Sequence, residues 1–209
     1  MMARRFLSLV RSLLLLSVFA VAMPAFGEDG PGVTAVRRAN DKVVELLKQK
    51  PEAGGEAEKK LAAEISNQLK GFLDIDELGE RALGEHFKTL KPAQRKEYLG
   101  LLRELVEGNY IKALRSNATY QVRYLKEEEK DGLRVVSTEL ELQRNGRPEV
   151  MSVDYALRKQ GNDWRAFDLI TDGVGLVENY RAQFNKIIAK EGVRGLLDRM
   201  RKKKTQSSQ

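Results

Sequence analysis

The chain has 209 residues, with 37 basic against 30 acidic side chains, no cysteine and one histidine. Without cysteine there are no disulfides and no thiolate chemistry. A lone histidine builds no ordinary transition-metal site and, with no Gly-x-Ser-x-Gly turn in the chain, no hydrolase triad. Eight of the basic residues are Arg4, Arg5, Arg11, Arg199, Arg201, Lys202, Lys203 and Lys204, and without them the balance is 29 against 30. The excess charge therefore sits at the two ends, which argues against a nucleic-acid surface.

At the N-terminus, Arg4, Arg5 and Arg11 precede an apolar run from Leu13 to Met23 interrupted only by Ser17, and Ala25-Phe26-Gly27 places small residues at alternate positions. Such an order marks a secretory signal peptide. It spans residues 1–27, with cleavage expected after Gly27. The apolar run is shorter than the roughly 20 residues a membrane span needs, and no cysteine follows for a lipid anchor. The exported product is one soluble domain, residues 28–204, with a polar tail at 205–209.

The domain opens with helices. Val36, Val43, Val44 and Leu47 share a face of one helix that ends before Pro51; Gly54-Gly55 breaks the chain; Leu61, Ile65, Leu69 and Phe72 stripe a second helix. A shorter helical piece covers Asp76 to Phe87. Pro92 suits the first position of a long helix reaching about Asn117, although Lys91 is a poor cap for it.

Period-two segments follow. Tyr120, Val122 and Tyr124 alternate with polar residues, Lys130-Asp131-Gly132 makes a hairpin turn, and Val136, Leu140 and Leu142 share the next face. Arg144-Asn145-Gly146 turns again, Met151, Val153, Tyr155 and Leu157 stripe a third strand, and Gly161-Asn162 leads into a fourth over Asp163 to Ile170. There Trp164 and Ile170 are expected on one face, Phe167 and Leu169 on the other. Two helical segments close the chain: Leu176, Tyr180, Phe184 and Ile187-Ile188 stripe the first, Gly192 stops it, and Val193, Leu196, Leu197 and Met200 stripe the second. The class is α+β: a four-stranded antiparallel, curved sheet covered by N- and C-terminal helices.

Candidate reactive groups are few. His86 reads as a helix-surface residue, Glu127-Glu128-Glu129 as a solvated run before a turn, and Asp74, Asp76 and Glu77 as a helix-start cluster. The C-terminal basic run reads as solvated, or as a weak contact with anionic head groups, about 1 kcal/mol per residue near a membrane surface. Asp168 stands mid-strand among bulky residues, either as a buried acid/base of the kind isomerases use or as a structural hydrogen-bond acceptor. No catalytic residue, metal or cofactor is expected.

Three stretches together resemble the Ttg2/MlaC family of periplasmic, phospholipid-binding components of ABC transport systems. They are Ala82-Leu83-Gly84 with Phe87, Pro92 and Gln94; QRKEYLGLLRELVEGNYIKAL at residues 94–114; and DWRAFDLITDGVGLVENYRAQF at residues 163–184. Phe87 stands where the family has Trp, and Gly175 where it has Ser. The resemblance implies helices over a curved sheet, enclosing an apolar cavity for acyl chains. It also implies a soluble periplasmic monomer with two partners, an outer-membrane lipoprotein complex and the inner-membrane substrate-binding component of an ABC transporter. A hopanoid or other polycyclic lipid is the alternative cargo, and an isomerase-like enzyme using Asp168 the alternative class. The lining expected for such a cavity is Leu102, Val106 and Tyr110 from the long helix, and Val136, Leu140, Val153, Tyr155 and Leu157 from the sheet. Phe167, Leu169, Val174, Tyr180 and Phe184 would close it. Periodicity alone reads the same for a solid core.

Overall fold

A computed structural model describes residues 29–49, 54–116, 120–144 and 147–207. The leader and the Asn145-Gly146 turn lie outside the described residues. Helices α1 (Pro31–Leu47), α2 (Glu56–Phe72), α3 (Ile75–Leu83), α4 (Glu85–Lys88) and α5 (Pro92–Ser116) come first. Strands β1 (Tyr120–Lys130), β2 (Leu133–Arg144), β3 (Arg147–Gln160), β4 (Asp163–Thr171) and β5 (Val174–Gly175) follow, and α6 (Leu176–Ser207) ends the described chain.

The sheet is an antiparallel meander in the order β1-β2-β3-β4-β5, so it has five strands and not the expected four. The extra strand is only two residues long, and Asp172-Gly173 turns into it with φ of 47° and 83°. The same Asp-Gly pair at Asp131-Gly132, φ 54° and 74°, joins β1 to β2, as two-residue loops with positive φ do in right-twisted hairpins.

Two bulges set which side chains face inward. In β4 the register with β3 slips so that Leu157 faces Ala166 while Ala156 faces Asp168. Trp164, Ala166, Leu169 and Thr171 therefore share the inner face, and Ile170, opposite Asp154, lies on the outer one. The strict alternation expected for this strand fails because a bulge inserts one residue and reverses the parity beyond it. In β1 a slip between Tyr124 and Lys126 does the same. It turns Leu125 half outward and brings Glu127 opposite Val136, whose side chain is fully buried.

Glu127 consequently is not part of a solvated run. Its carboxylate accepts the backbone N–H groups of Gly32 at 3.1 Å and Val33 at 2.8 Å and pairs with Arg134. It thus caps α1, whose own N-cap, Gly30, has no side chain to do so. The cluster at Asp74 has a comparable duty. Asp74 caps α3 through the Glu77 N–H, 3.1 Å away. It is buried and held by the Arg158 guanidinium at 2.7 Å, which also reaches Glu77 at 3.1 Å.

The helical piece expected over Asp76 to Phe87 is two helices, because Gly84 adopts φ 55° and breaks it. His86 lies half-buried in α4. At the start of α5 the Gln94 side chain accepts the Lys91 N–H at 3.1 Å, supplying from inside the helix one half of a capping box. Helix α6 is interrupted at Gly192, φ 66°, where a stop is expected. Beyond it Leu196, Leu197 and Met200 are buried. The basic end is not a free tail: it is helical, with Arg201 held by Glu97 and Lys204 by Glu104, both on α5. Burial of the apolar stripe carries the helix past Met200 and so fixes where those cations fall.

Candidate functional site

The apolar layer between helices and sheet divides along the strands into a solid part and a hollow part. At the solid end Val136, Leu157 and Ala166 are fully buried, in one core with residues of α1, α3, α5 and α6. Tyr98 donates its hydroxyl to the Gly79 carbonyl at 3.1 Å. Its ring packs edge-on against Phe184 at 5.8 Å, and Phe184 stacks on Tyr180 at 5.4 Å. At the other end, between α1, the C-terminal half of α5 and the sheet, lies a cavity of about 180 Å³. An aliphatic cavity of about 150 Å³ accommodates a benzene-sized molecule, so this one admits part of an acyl chain as it stands.

Five of the residues expected to line a cavity do so: Tyr110, Leu140, Val153, Tyr155 and Leu169. Leu102, Val106, Val136, Leu157, Tyr180 and Phe184 belong to the solid core instead. Phe167, the bulge residue, is buried with the Arg81 guanidinium 4.3 Å above its ring, and Val174 is exposed. Six further residues complete the wall: Asn40, Ala113, Tyr120, Leu142, Met151 and Thr171. Tyr120, Leu142 and Met151 lie on stripes legible in the sequence. What periodicity lacks is the boundary, which falls between Tyr155 and Leu157 on β3 and between Ala166 and Leu169 on β4. Asn40 gave no signal, since a polar residue on an apolar helix face reads as a boundary of that face.

Among the described residues the wall carries no charged side chain. Its polar atoms are an amide and hydroxyls. Asn40 is buried and donates to Tyr124 Oη at 3.4 Å. Burial raises the pKa values of Tyr110 and Tyr120 well above the ordinary phenol range and pushes that of Tyr155 up to about 12, so these phenols stay neutral. Tyr120 Oη is buried with no hydrogen-bond partner among the described residues. A dry wall of this kind suits chains, which need area and not converging hydrogen bonds.

Asp168 lies away from the cavity. It is opposite Ala156 on the outer face and accepts the Val177 N–H at 3.1 Å, where α6 begins. Burial raises its pKa, against the backbone N–H groups of Val177, Leu169 and Leu176 that lower it. A Cβ on Gly175 would stand 2.8 Å from its carboxylate, which accounts for glycine at this position in this chain. Among the described residues no cluster of His, Cys, Asp and Glu could hold a metal ion, and no helix is long and apolar enough to cross a membrane.

Residues 37–202 match the family described as MlaC protein. The chain belongs to the MlaC family. It is 22% identical over 193 residues to the intermembrane phospholipid transport system binding protein MlaC of Haemophilus influenzae, covering 91% of this chain and 90% of that protein. Its fold matches the phospholipid-binding protein of Ralstonia solanacearum, solved in complex with a phospholipid. The TM-score is 0.75 at 24% identity, over 86% of this chain and all of the other. The MlaC fold here is therefore the curved sheet under helices, with its cavity at the Leu140–Met151 end.

Proposed function

We propose that this MlaC-family protein is a soluble periplasmic carrier that holds phospholipid acyl chains in the cavity bounded by α1, α5 and the sheet. It moves lipid between an outer-membrane lipoprotein complex and the substrate-binding component of an inner-membrane ABC transporter. The observation that carries this reading is a largely apolar cavity, uncharged among the described residues, standing beside a packed core. A 16-carbon chain represents roughly 12 kcal/mol of water avoidance at about 0.8 kcal/mol per methylene. Carrying it through water therefore requires enclosure along most of its length. At about 180 Å³ the cavity is too small for two chains, so loading requires the helices to move off the sheet.

Protein purified from its own host, extracted with solvent and analysed by mass spectrometry, tests the reading. Co-purifying diacyl lipid is expected. A polycyclic lipid in its place would replace the cargo. A protein that purifies empty and takes up no lipid from vesicles overturns the carrier function altogether.

A further inference from the structure

The cavity is bounded by α1, the sheet and the end of α5, and the first two are fixed to each other. Glu127 of β1 holds the Gly32 and Val33 N–H groups of α1, and Asn40 of α1 donates to Tyr124 of β1. Helix α2, packed beside α1, is fastened to β4 at its C-terminal end. There the Asp74 N–H donates to the Ala166 carbonyl at 2.7 Å. The Arg165 guanidinium reaches the Lys70 and Leu73 carbonyls at 2.5 and 2.6 Å.

Helix α5, by contrast, has two unlike parts. Its stem is packed, with Tyr98, Leu101, Leu102, Leu105 and Val106 buried. Glu107 is buried too and accepts the Ser66 hydroxyl of α2 at 2.5 Å. None of the residues from Gly108 to Ala113 is buried, although Tyr110 and Ala113 form the helix side of the cavity wall. The change falls at Gly108, well inside a 25-residue helix, where glycine weakens the helix relative to alanine. Close packing does not call for it. A Cβ at Gly108 would meet nothing within 4 Å, whereas one at Gly79 would strike Leu99 at 2.7 Å. Gly100 has open space as well, but it lies within the stem, between Tyr98 and Leu101.

Resting on the carrier reading above, we propose that α5 from Gly108 onward is a lid over the cavity, which tilts about this glycine to admit and release acyl chains while the stem stays in the core. A sharp bend in a helix needs a residue that leaves helical geometry at little cost, and glycine supplies it. Asn109, beside the pivot, donates to the Tyr180 hydroxyl of α6, so displacement is small there and grows toward Ala113. Ser116 and Tyr120 of β1 are four residues apart in the chain. The far end of the lid therefore stays within about 14 Å of the sheet, and it tilts without detaching. Such a movement enlarges the cavity at Tyr110 and Ala113 and leaves the ties of α1 and α2 to the sheet intact.

Gly108→Ala and Gly100→Ala test the hinge as a pair, because each adds one methyl group in open space at an exposed position of the same helix. Each protein is loaded from vesicles of phosphatidylethanolamine bearing a fluorescent acyl chain and separated from them. It is then mixed with acceptor vesicles containing a quencher, in such excess that the release rate no longer depends on their concentration. Gly108→Ala is expected to slow release about fivefold, the equivalent of the ~1 kcal/mol by which alanine exceeds glycine in a helix interior. Gly100→Ala is expected to release at the wild-type rate. Unchanged or faster release in Gly108→Ala, or equal slowing in both variants, overturns the hinge while leaving the carrier function intact. Wild-type protein that takes up no lipid from the vesicles overturns both.

Discussion

The Glu127 carboxylate on the sheet and the backbone N–H of Val33 at the start of α1 lie 2.8 Å apart. With the Gly32 N–H at 3.1 Å and Arg134 on its other side, this contact ties the helix that bears Asn40 to the strand pair that carries Leu140. Burial by itself raises the Glu127 pKa, but the bonds from Val33, Arg134 and Gly32 outweigh it. The carboxyl is therefore held below the usual glutamate range.

Glu127→Gln should therefore destabilise the protein at neutral pH by about 1–2 kcal/mol, the usual cost of weakening a buried charge-assisted cap. A group whose folded value is depressed contributes stability that is present above its unfolded value and lost as pH falls through the folded one. The difference between wild type and variant in urea midpoint should accordingly shrink on acidification. A difference that stays constant with pH would show that the carboxylate charge is not what matters.

Leu157 and Leu140 point inward from neighbouring strands but are expected to respond differently to truncation. Leu157 is fully buried opposite Ala166, so Leu157→Ala should cost about 2–5 kcal/mol through lost burial and a new void. Leu140 already borders empty space, and Leu140→Ala should cost only about 1 kcal/mol, since little packing is lost there. Conversely, Leu140→Trp should fill the cavity and reduce co-purifying lipid with the urea midpoint little changed. Equal costs for the two alanine variants would mean that the hollow and solid parts do not differ.

The contrast between these leucines shows where sequence reading stops. Both stand on apolar stripes, and the hairpin turns at Asp131-Gly132 and Gly161-Asn162 make the stripes and the order of β1 to β4 legible. The fifth strand was signalled by Asp172-Gly173, the same pair that closes the first hairpin. The bulges at Tyr124–Lys126 and Ala156–Leu157 had no such mark, and each reverses the parity that assigns faces. Glu127 moved inward, and Phe167 left the cavity, for that reason. Whether a stripe ends as core or as cavity wall depends on what the facing helix brings. Along α5 that changes from Leu102 and Val106 to Tyr110 and Ala113 within three turns.

At the C-terminus, burial and charge can be separated. Arg201 and Lys204 face Glu97 and Glu104 as exposed pairs, worth about 0–1 kcal/mol each. Leu196, one turn earlier, is almost wholly buried. Arg201→Ala with Lys204→Ala should thus shift the unfolding midpoint slightly, and less so in high salt. Leu196→Ala should cost about 2–5 kcal/mol. A charge variant as damaging as Leu196→Ala would make the ion pairs the anchor of this helix.

Asp168 presents the reverse of Glu127. Burial raises its pKa above the usual aspartate range in spite of the N–H groups of Val177, Leu169 and Leu176. A group whose folded value is raised contributes stability that is complete below its unfolded value and diminishes as pH rises through the folded one. Asparagine keeps an oxygen for the Val177 N–H and has no charge to desolvate, so Asp168→Asn should leave stability within about 1 kcal/mol of wild type at neutral pH. It should also abolish this share of the pH dependence. Asp168→Ala, which leaves the Val177 N–H without its side-chain acceptor, should cost about 1–3 kcal/mol. Lipid content should be unchanged in both, because Asp168 lies on the outer face of the sheet, opposite Ala156. Loss of lipid in a fully folded Asp168→Asn protein would give this carboxylate a part in binding that its position on the sheet does not provide.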